Sequence, residues 1–82
     1  MPDSHISFEN KDYYIELGLN IAFYRKRAGM TQEMLAEKAG LSRSHLSAIE
    51  APNIIRPFSL EILFGIARAL GVEPYKLLQF RD

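Results

Sequence analysis

The chain has 82 residues, of which 48% are hydrophobic, and its formal net charge is zero; this predicts a single small globular domain. It has no cysteine, which excludes disulfides and thiolate metal sites, and no apolar run is long enough to span a membrane. The acidic, polar start MPDSHISFEN lacks the basic residues and apolar run of a secretory signal. We therefore expect a cytoplasmic protein.

The charge is distributed unevenly along the chain. Residues 1–16 carry one lysine against four carboxylates, a balance of −3, and residues 17–56 carry six cations against three carboxylates, a balance of +3. Residues 57–82 are balanced. The basic middle segment is either an ordinary solvated surface or a surface for an anionic partner, and charge alone does not decide between them.

Residues 1–10 show little periodicity and are predicted to form a tail before a domain of residues 11–82. The domain is predicted to be an all-α, compact five-helix bundle without strands. Its first helix runs from Lys11 to Ala28, and the next residue, Gly29, ends it. Apolar residues spaced three and four apart give this helix one apolar face, consisting of Tyr14, Leu17, Ile21, Tyr24 and Ala28.

The second predicted helix begins after Thr31 as its N-cap and ends at Gly40. Its inner face is predicted to consist of Met34, Leu35 and Ala39. The small residues Ala36 and Ala39 would let this helix pack closely against its neighbours.

Ser42 caps the third predicted helix, which stops near Ala51 because the following Pro52 disfavours a helical conformation there. Leu46 and Ile49 would point inward from it. After a loop of residues 51–58, a fourth helix begins at Ser59 and ends before Gly71. Its inner face is predicted to consist of Leu60, Leu63, Phe64, Ala67 and Leu70.

A short fifth helix, with Pro74 at its first position, is predicted over residues 75–80. The second and third helices, joined by a short turn containing glycine, form the helix-turn-helix pattern, whose second helix can enter the DNA major groove. One face of that helix carries only polar or small residues within roughly 140°, namely Arg43, Ser44, Ser47 and Ala48. As a bare pattern, helix pairs of this kind also occur in proteins that bind no DNA.

The segments TQEMLAEKAGLSRSHLSAIE and SLEILFGIARALGV closely resemble the phage-repressor and Cro-like helix-turn-helix family, often called the XRE family. The resemblance extends from about Leu17 to Leu78. It implies a lambda-repressor-like DNA-binding domain that regulates transcription. It also implies a symmetric homodimer that binds a near-palindromic operator in double-stranded DNA.

The resemblance also implies roles for individual residues. Base edges would be contacted by Arg43, Ser44, Ser47 and Ala48, although Ala48 would touch only a thymine methyl or permit close approach. Gln32 would donate to a phosphate, and the further candidates for phosphate contacts are His45, Arg56 and the backbone amides near Asn53. Gln32 could instead serve the helix N-terminus, and His45 could be an ordinary surface histidine.

Arg25 and Glu50 are predicted to form a structural ion pair, as at the matching positions of the family. Arg25 borders the apolar face of the first helix, and Glu50 follows Ile49 at the end of the third. A partly buried guanidinium requires a carboxylate partner.

The loop APNIIRPFSL departs from the family pattern, because it is about two residues longer, lacks a glycine and carries one cation. We therefore expect modest non-specific DNA affinity and a weak salt dependence for a dimer. Large apolar residues in and after this loop suggest a dimer interface, consisting of Ile54, Ile55, Phe58, Ile62, Ile66, Tyr75, Leu78 and Phe80. Alternatively, the loop and fifth helix cover that surface within one chain.

Other classes of function find little support in the sequence. It has no phosphate-binding glycine loop, no cluster with metal-ligand spacing and no paired carboxylates, so no enzyme, cofactor, metal site or small-molecule ligand is predicted. No helix has the basic amphipathic face typical of membrane-surface binding. The main rival to DNA binding is a protein-interaction module of the same fold, in which DNA binding is weak or lost and another protein is the partner.

Overall fold

Five α-helices and one short 3-10 helix are found in residues 8–80, the part of the chain that the computed structural model describes. The 3-10 helix Phe8–Asn10 is followed by α1 (Lys11–Arg27), α2 (Gln32–Ala39), α3 (Arg43–Glu50), α4 (Leu60–Leu70) and α5 (Pro74–Leu77). Within this range there is no strand, and the predicted all-α fold is confirmed. Most of the predicted tail, residues 1–10, lies outside the described residues, and α5 ends three residues earlier than predicted.

Polar side chains and glycines set the helix boundaries, as the sequence predicted. Thr31, Ser42 and Ser59 each accept a hydrogen bond from the backbone N–H three residues later, at 3.1–3.2 Å. Each such cap contributes about 1 kcal/mol by satisfying an amide that the helix leaves unpaired. At the other ends of α2 and α4, Gly40 and Gly71 have φ of 78° and 74°, a left-handed conformation that glycine adopts without strain.

One apolar core joins all five α-helices. α2 packs against α3 and α4, α1 packs against α3, and α5 packs against α4 and α1. The buried apolar side chains are Ile21, Leu35, Ala36, Leu46, Ile49, Leu63, Ile66, Ala67 and Leu77. Since α3 contributes only Leu46 and Ile49 to this core, most of its other side chains remain available on the surface.

Three side chains that were predicted to face the core, Met34, Leu60 and Phe64, are exposed instead. In α2, Met34 is 49% exposed, whereas Leu35 and Ala36 are buried and Ala39 packs against the core, as predicted. In α4, Leu60 and Phe64 are 64% and 42% exposed, whereas Ile66 is fully buried. The physical reason is that α4, LEILFGIARAL, is apolar at most positions, so two overlapping stripes compete for the core and tertiary packing selects one.

Asn20 holds the C-terminal end of the chain against α1, a role that the sequence analysis missed. Its buried side-chain amide donates to the backbone carbonyls of Leu77 at 2.9 Å and of Gln79 at 3.1 Å. These carbonyls lie at the end of α5, where the helix supplies no donor of its own. The only sequence signal was an asparagine next to the buried Ile21, where an apolar residue would be expected.

Candidate nucleic-acid interface

The first turns of α3 present a polar surface to solvent. Arg43 and Ser44 are exposed, and Ser47 and Ala48 are partly exposed. These four predicted base-contacting residues lie on the side of α3 opposite the core. The face therefore carries one long cationic side chain among small ones, which permits close approach to a groove.

The N-terminus of α3 is held in shape by serine hydroxyls. The Ser42 Oγ accepts the backbone N–H of His45, and it lies 3.3 Å from the Ser44 Oγ. The His45 side chain is partly exposed and lies at the boundary between the polar face and the core. A phosphate contact by His45 therefore stays a prediction.

Arg25 and Glu50 form a bidentate ion pair between α1 and the end of α3, as the sequence predicted. The Arg25 Nε donates to Glu50 Oε2 at 2.8 Å, and its Nη2 donates to Oε1 at 3.0 Å. The remaining guanidinium nitrogen, Nη1, donates to the Met30 carbonyl at 2.8 Å. Both side chains are nine-tenths or more buried, so water cannot solvate their charges. Each side chain therefore neutralises the charge of the other.

Gln32 joins the same network from α2, which the sequence analysis did not predict. Its Nε2 donates to Glu50 Oε1 at 2.9 Å. Glu50 thus accepts hydrogen bonds from residues of both α1 and α2. The amide of Gln32 has two N–H donors, so the bond to Glu50 leaves one for the predicted phosphate contact.

α1 and α3 also touch directly through their backbones. A Cβ atom at Gly18 would overlap the carbonyl oxygen of Ile49 and lie 3.3 Å from its carbonyl carbon. Glycine is therefore required at this crossing. Together with the Glu50 network, this contact fixes the position of α3 relative to the rest of the bundle.

The loop after α3 contains the other two predicted phosphate contacts. Asn53 and Arg56 are both exposed, and a turn in which the Ile54 N–H donates to the Ala51 carbonyl at 3.2 Å begins the loop. Their phosphate contacts therefore stay predictions.

The residues predicted to form a dimer interface divide into three groups. Ile66 is fully buried and has no surface for a partner, so its assignment was wrong. Four residues are partly buried: Phe58 and Ile62, which pack against the core, Ile55, and Phe80. Phe80 stacks on Tyr13 with ring centroids 5.7 Å apart.

The remaining three predicted interface residues are well exposed: Ile54 at 48%, Tyr75 at 57% and Leu78 at 47%. Leu60 and Phe64, which the sequence analysis placed inside, add to the exposed apolar surface of α4. We call these five side chains the C-terminal apolar surface.

Among residues 8–80, no helix is both long and apolar enough to cross a membrane. The same residues contain no group of three or more histidine, aspartate or glutamate side chains that could hold a metal ion.

Residues 21–77 match the model of the helix-turn-helix family HTH_3. SinR of Bacillus licheniformis, an HTH-type transcriptional regulator, is 38% identical over 66 residues, which are 80% of this chain and 59% of SinR. The control protein C.SmaI of Serratia marcescens is 36% identical over 78 residues, which are 95% of this chain and 88% of C.SmaI. The chain thus spans little more than half the length of SinR but most of C.SmaI.

Among solved structures, the restriction-modification controller protein C.AhdI from Aeromonas hydrophila has the same arrangement of helices. Its TM-score with this chain is 0.73 at 33% sequence identity, over 78% of this chain and 94% of C.AhdI. The structure of this chain therefore resembles that of C.AhdI over nearly the whole of the smaller protein.

Proposed function

Because the chain belongs to the helix-turn-helix family of transcription regulators, we propose that it binds double-stranded DNA in a sequence-specific way and regulates transcription. Helix α3 enters the major groove, where Arg43 and Ser44 contact base edges and Ser47 and Ala48 lie one turn further on. We also propose that the protein acts in the cytoplasm.

The observation that carries this proposal is the division of α3 into two sides. One side, with Leu46, Ile49 and Glu50, is buried in the bundle. The other side carries the exposed Arg43 and Ser44 at the N-terminal end of the helix. A guanidinium can donate two parallel hydrogen bonds to guanine O6 and N7, and such a pair discriminates against other bases by about 1–3 kcal/mol. No large apolar side chain obstructs this face.

Phosphate contacts would come from groups around α3. The backbone N–H groups at the start of α2 are an anion site in any helix of this kind, and the partly exposed Gln32 lies there. Arg56 and Asn53 are exposed on the loop that follows α3. With so few cations, the affinity for DNA should fall less steeply with salt than for most dimeric regulators.

A homodimer fits the exposed C-terminal apolar surface. Leu60 and Phe64 lie one turn apart on α4, and α5, which carries Tyr75 and is followed by Leu78, packs against α4. Each of these four side chains, and Ile54, is more than two-fifths exposed, and contiguous apolar surface is typical of protein interfaces. A symmetric dimer through this surface would place two copies of α3 roughly 34 Å apart, one turn of DNA.

The proposal is tested by selecting bound sequences from a pool of random DNA duplexes. The expected result is a near-palindromic motif whose half-sites are centred about 10 base pairs apart. The selected duplex should bind more tightly than a scrambled one, and both affinities should fall as salt rises. Absence of binding even at low salt would contradict the proposal and favour a protein-interaction module, whereas a single unrepeated half-site would contradict the dimer.

A further inference from the structure

The outer side of α1 carries a second exposed apolar surface, away from both α3 and α5. Leu19 and Phe23 are each 45% exposed, and Ile15 and Ala22 are partly buried beside them. Phe23 also packs edge-on against the ring of Tyr24, with centroids 5.1 Å apart. We call Ile15, Leu19, Ala22 and Phe23 the α1 outer face.

This face lies on a different side of α1 from the contacts of that helix with α3 and with the end of α5. Successive helical residues are about 100° apart, so Leu19 is about 100° from both of its neighbours, Gly18 and Asn20. Gly18 faces α3, and Asn20 faces the end of α5. A partner bound at the α1 outer face would therefore leave α3 free for DNA.

The charges at the two ends of α1 make this face complementary to itself. Asp12 lies seven residues before Leu19 and Lys26 lies seven residues after it, and both side chains are exposed. Because seven residues are nearly two full turns, both charges lie on the same side of α1 as Leu19. The N-terminal end of the face is thus acidic and the C-terminal end is basic.

We propose that the α1 outer face binds the same face of a second copy of the chain, with the two α1 helices antiparallel about a two-fold axis at Leu19. This axis pairs Leu19 with itself, Ile15 with Phe23 of the second copy, and Asp12 with Lys26 of the second copy. A parallel arrangement would instead pair like charges. The antiparallel contact thus pairs apolar residues at its centre and opposite charges at its two ends, with the partly buried Glu16 at its edge, about 60° from Leu19.

The contact is weak by itself. One pair of helices, each about 25 Å long, buries less than the roughly 1,200 Å² that stable interfaces need. It becomes effective when two molecules are already held near each other, because the local concentration then replaces a bimolecular encounter. Building on the proposed function, the contact would join dimers that occupy neighbouring DNA sites.

Disulfide trapping at high protein concentration, without DNA, tests this contact independently of the proposed function, because a covalent bond accumulates even from a weak and short-lived contact. The chain has no cysteine, so a single introduced cysteine reports on one position. Leu19→Cys lies at the two-fold axis and should form a covalent dimer about tenfold faster than a control cysteine placed outside the contact. Met34→Cys is the matched control, because Met34 is 49% exposed but lies on α2; it should cross-link only slowly.

Charge reversal then tests the antiparallel register. Adding Asp12→Lys to Leu19→Cys should slow cross-linking about tenfold, because it places two lysines opposite each other at both ends of the contact. Adding Lys26→Asp as well restores opposite charges and should restore the rate. Cross-linking of Leu19→Cys no faster than that of Met34→Cys, or no recovery in the charge-swapped variant, would overturn the proposal.

Discussion

Replacing Gly18 by alanine should lower the free energy of unfolding by about 3 kcal/mol, at the upper end of what an overpacked site costs. The added methyl group would overlap the carbonyl oxygen of Ile49, and a backbone atom cannot move aside as a flexible side chain can. α1 and α3 must then separate, which displaces the proposed recognition helix. Urea unfolding followed by circular dichroism measures the loss, and DNA affinity should fall with it.

Gly65→Ala is the matched control for this prediction. Gly65 also lies within a helix, but a Cβ atom there would be 3.4 Å from the nearest atom outside its own helix, the Ala39 carbonyl oxygen. Alanine is favoured over glycine in a helix by about 1 kcal/mol, so stability should be unchanged or slightly higher. If Gly18→Ala were as stable as Gly65→Ala, the close crossing of α1 and α3 would be refuted.

Glu50→Ala should lower the free energy of unfolding by about 3–5 kcal/mol, because it leaves the buried Arg25 guanidinium without its counter-charge. The substitution also removes the acceptor of Gln32 and so releases α2 from α3. An effect of this size is several times that of deleting an exposed charge. Glu37→Ala, which removes an exposed carboxylate on α2, is the control, and it should change the free energy of unfolding by no more than about 0.5 kcal/mol.

A double variant separates the ion pair from general damage to the core. Arg25→Met combined with Glu50→Ala leaves no buried charge, so it should be more stable than the sum of the two single losses implies. Thermal unfolding of the four proteins gives this coupling directly. Equal melting temperatures for the wild-type protein and Glu50→Ala would show that the network contributes nothing to stability.

Helix existence and helix boundaries followed from local chemistry in this chain. Thr31, Ser42 and Ser59 begin helices by binding backbone amides, and Gly40 and Gly71 end them with positive φ. These interactions involve residues three to five apart, so the sequence contains all the information needed. The polar face of α3 was predictable for a related reason, because it depends on one short segment, whereas the family resemblance rested on two segments and on most of the chain.

Interactions between distant residues were harder to predict. Which stripe of α4 is buried depends on how α2 packs on it, and the stripe with Ile66 rather than Leu60 faces inward. The contact of Asn20 with the end of α5 spans 57 residues of sequence. The Arg25–Glu50 pair was predicted only because the family resemblance supplied it, and Gln32 as a third member was missed.

Chemical protection of guanine tests the central claim, that α3 contacts bases in the major groove through Arg43. In a selected operator, the wild-type protein should shield guanine N7, which faces the major groove, from methylation in both half-sites. Arg43→Ala should lose protection of one guanine per half-site and bind about 10- to 100-fold more weakly, while Arg68→Ala, an exposed arginine on α4, should resemble the wild type. Unchanged affinity and protection in Arg43→Ala, or binding without any guanine protection, would contradict the account.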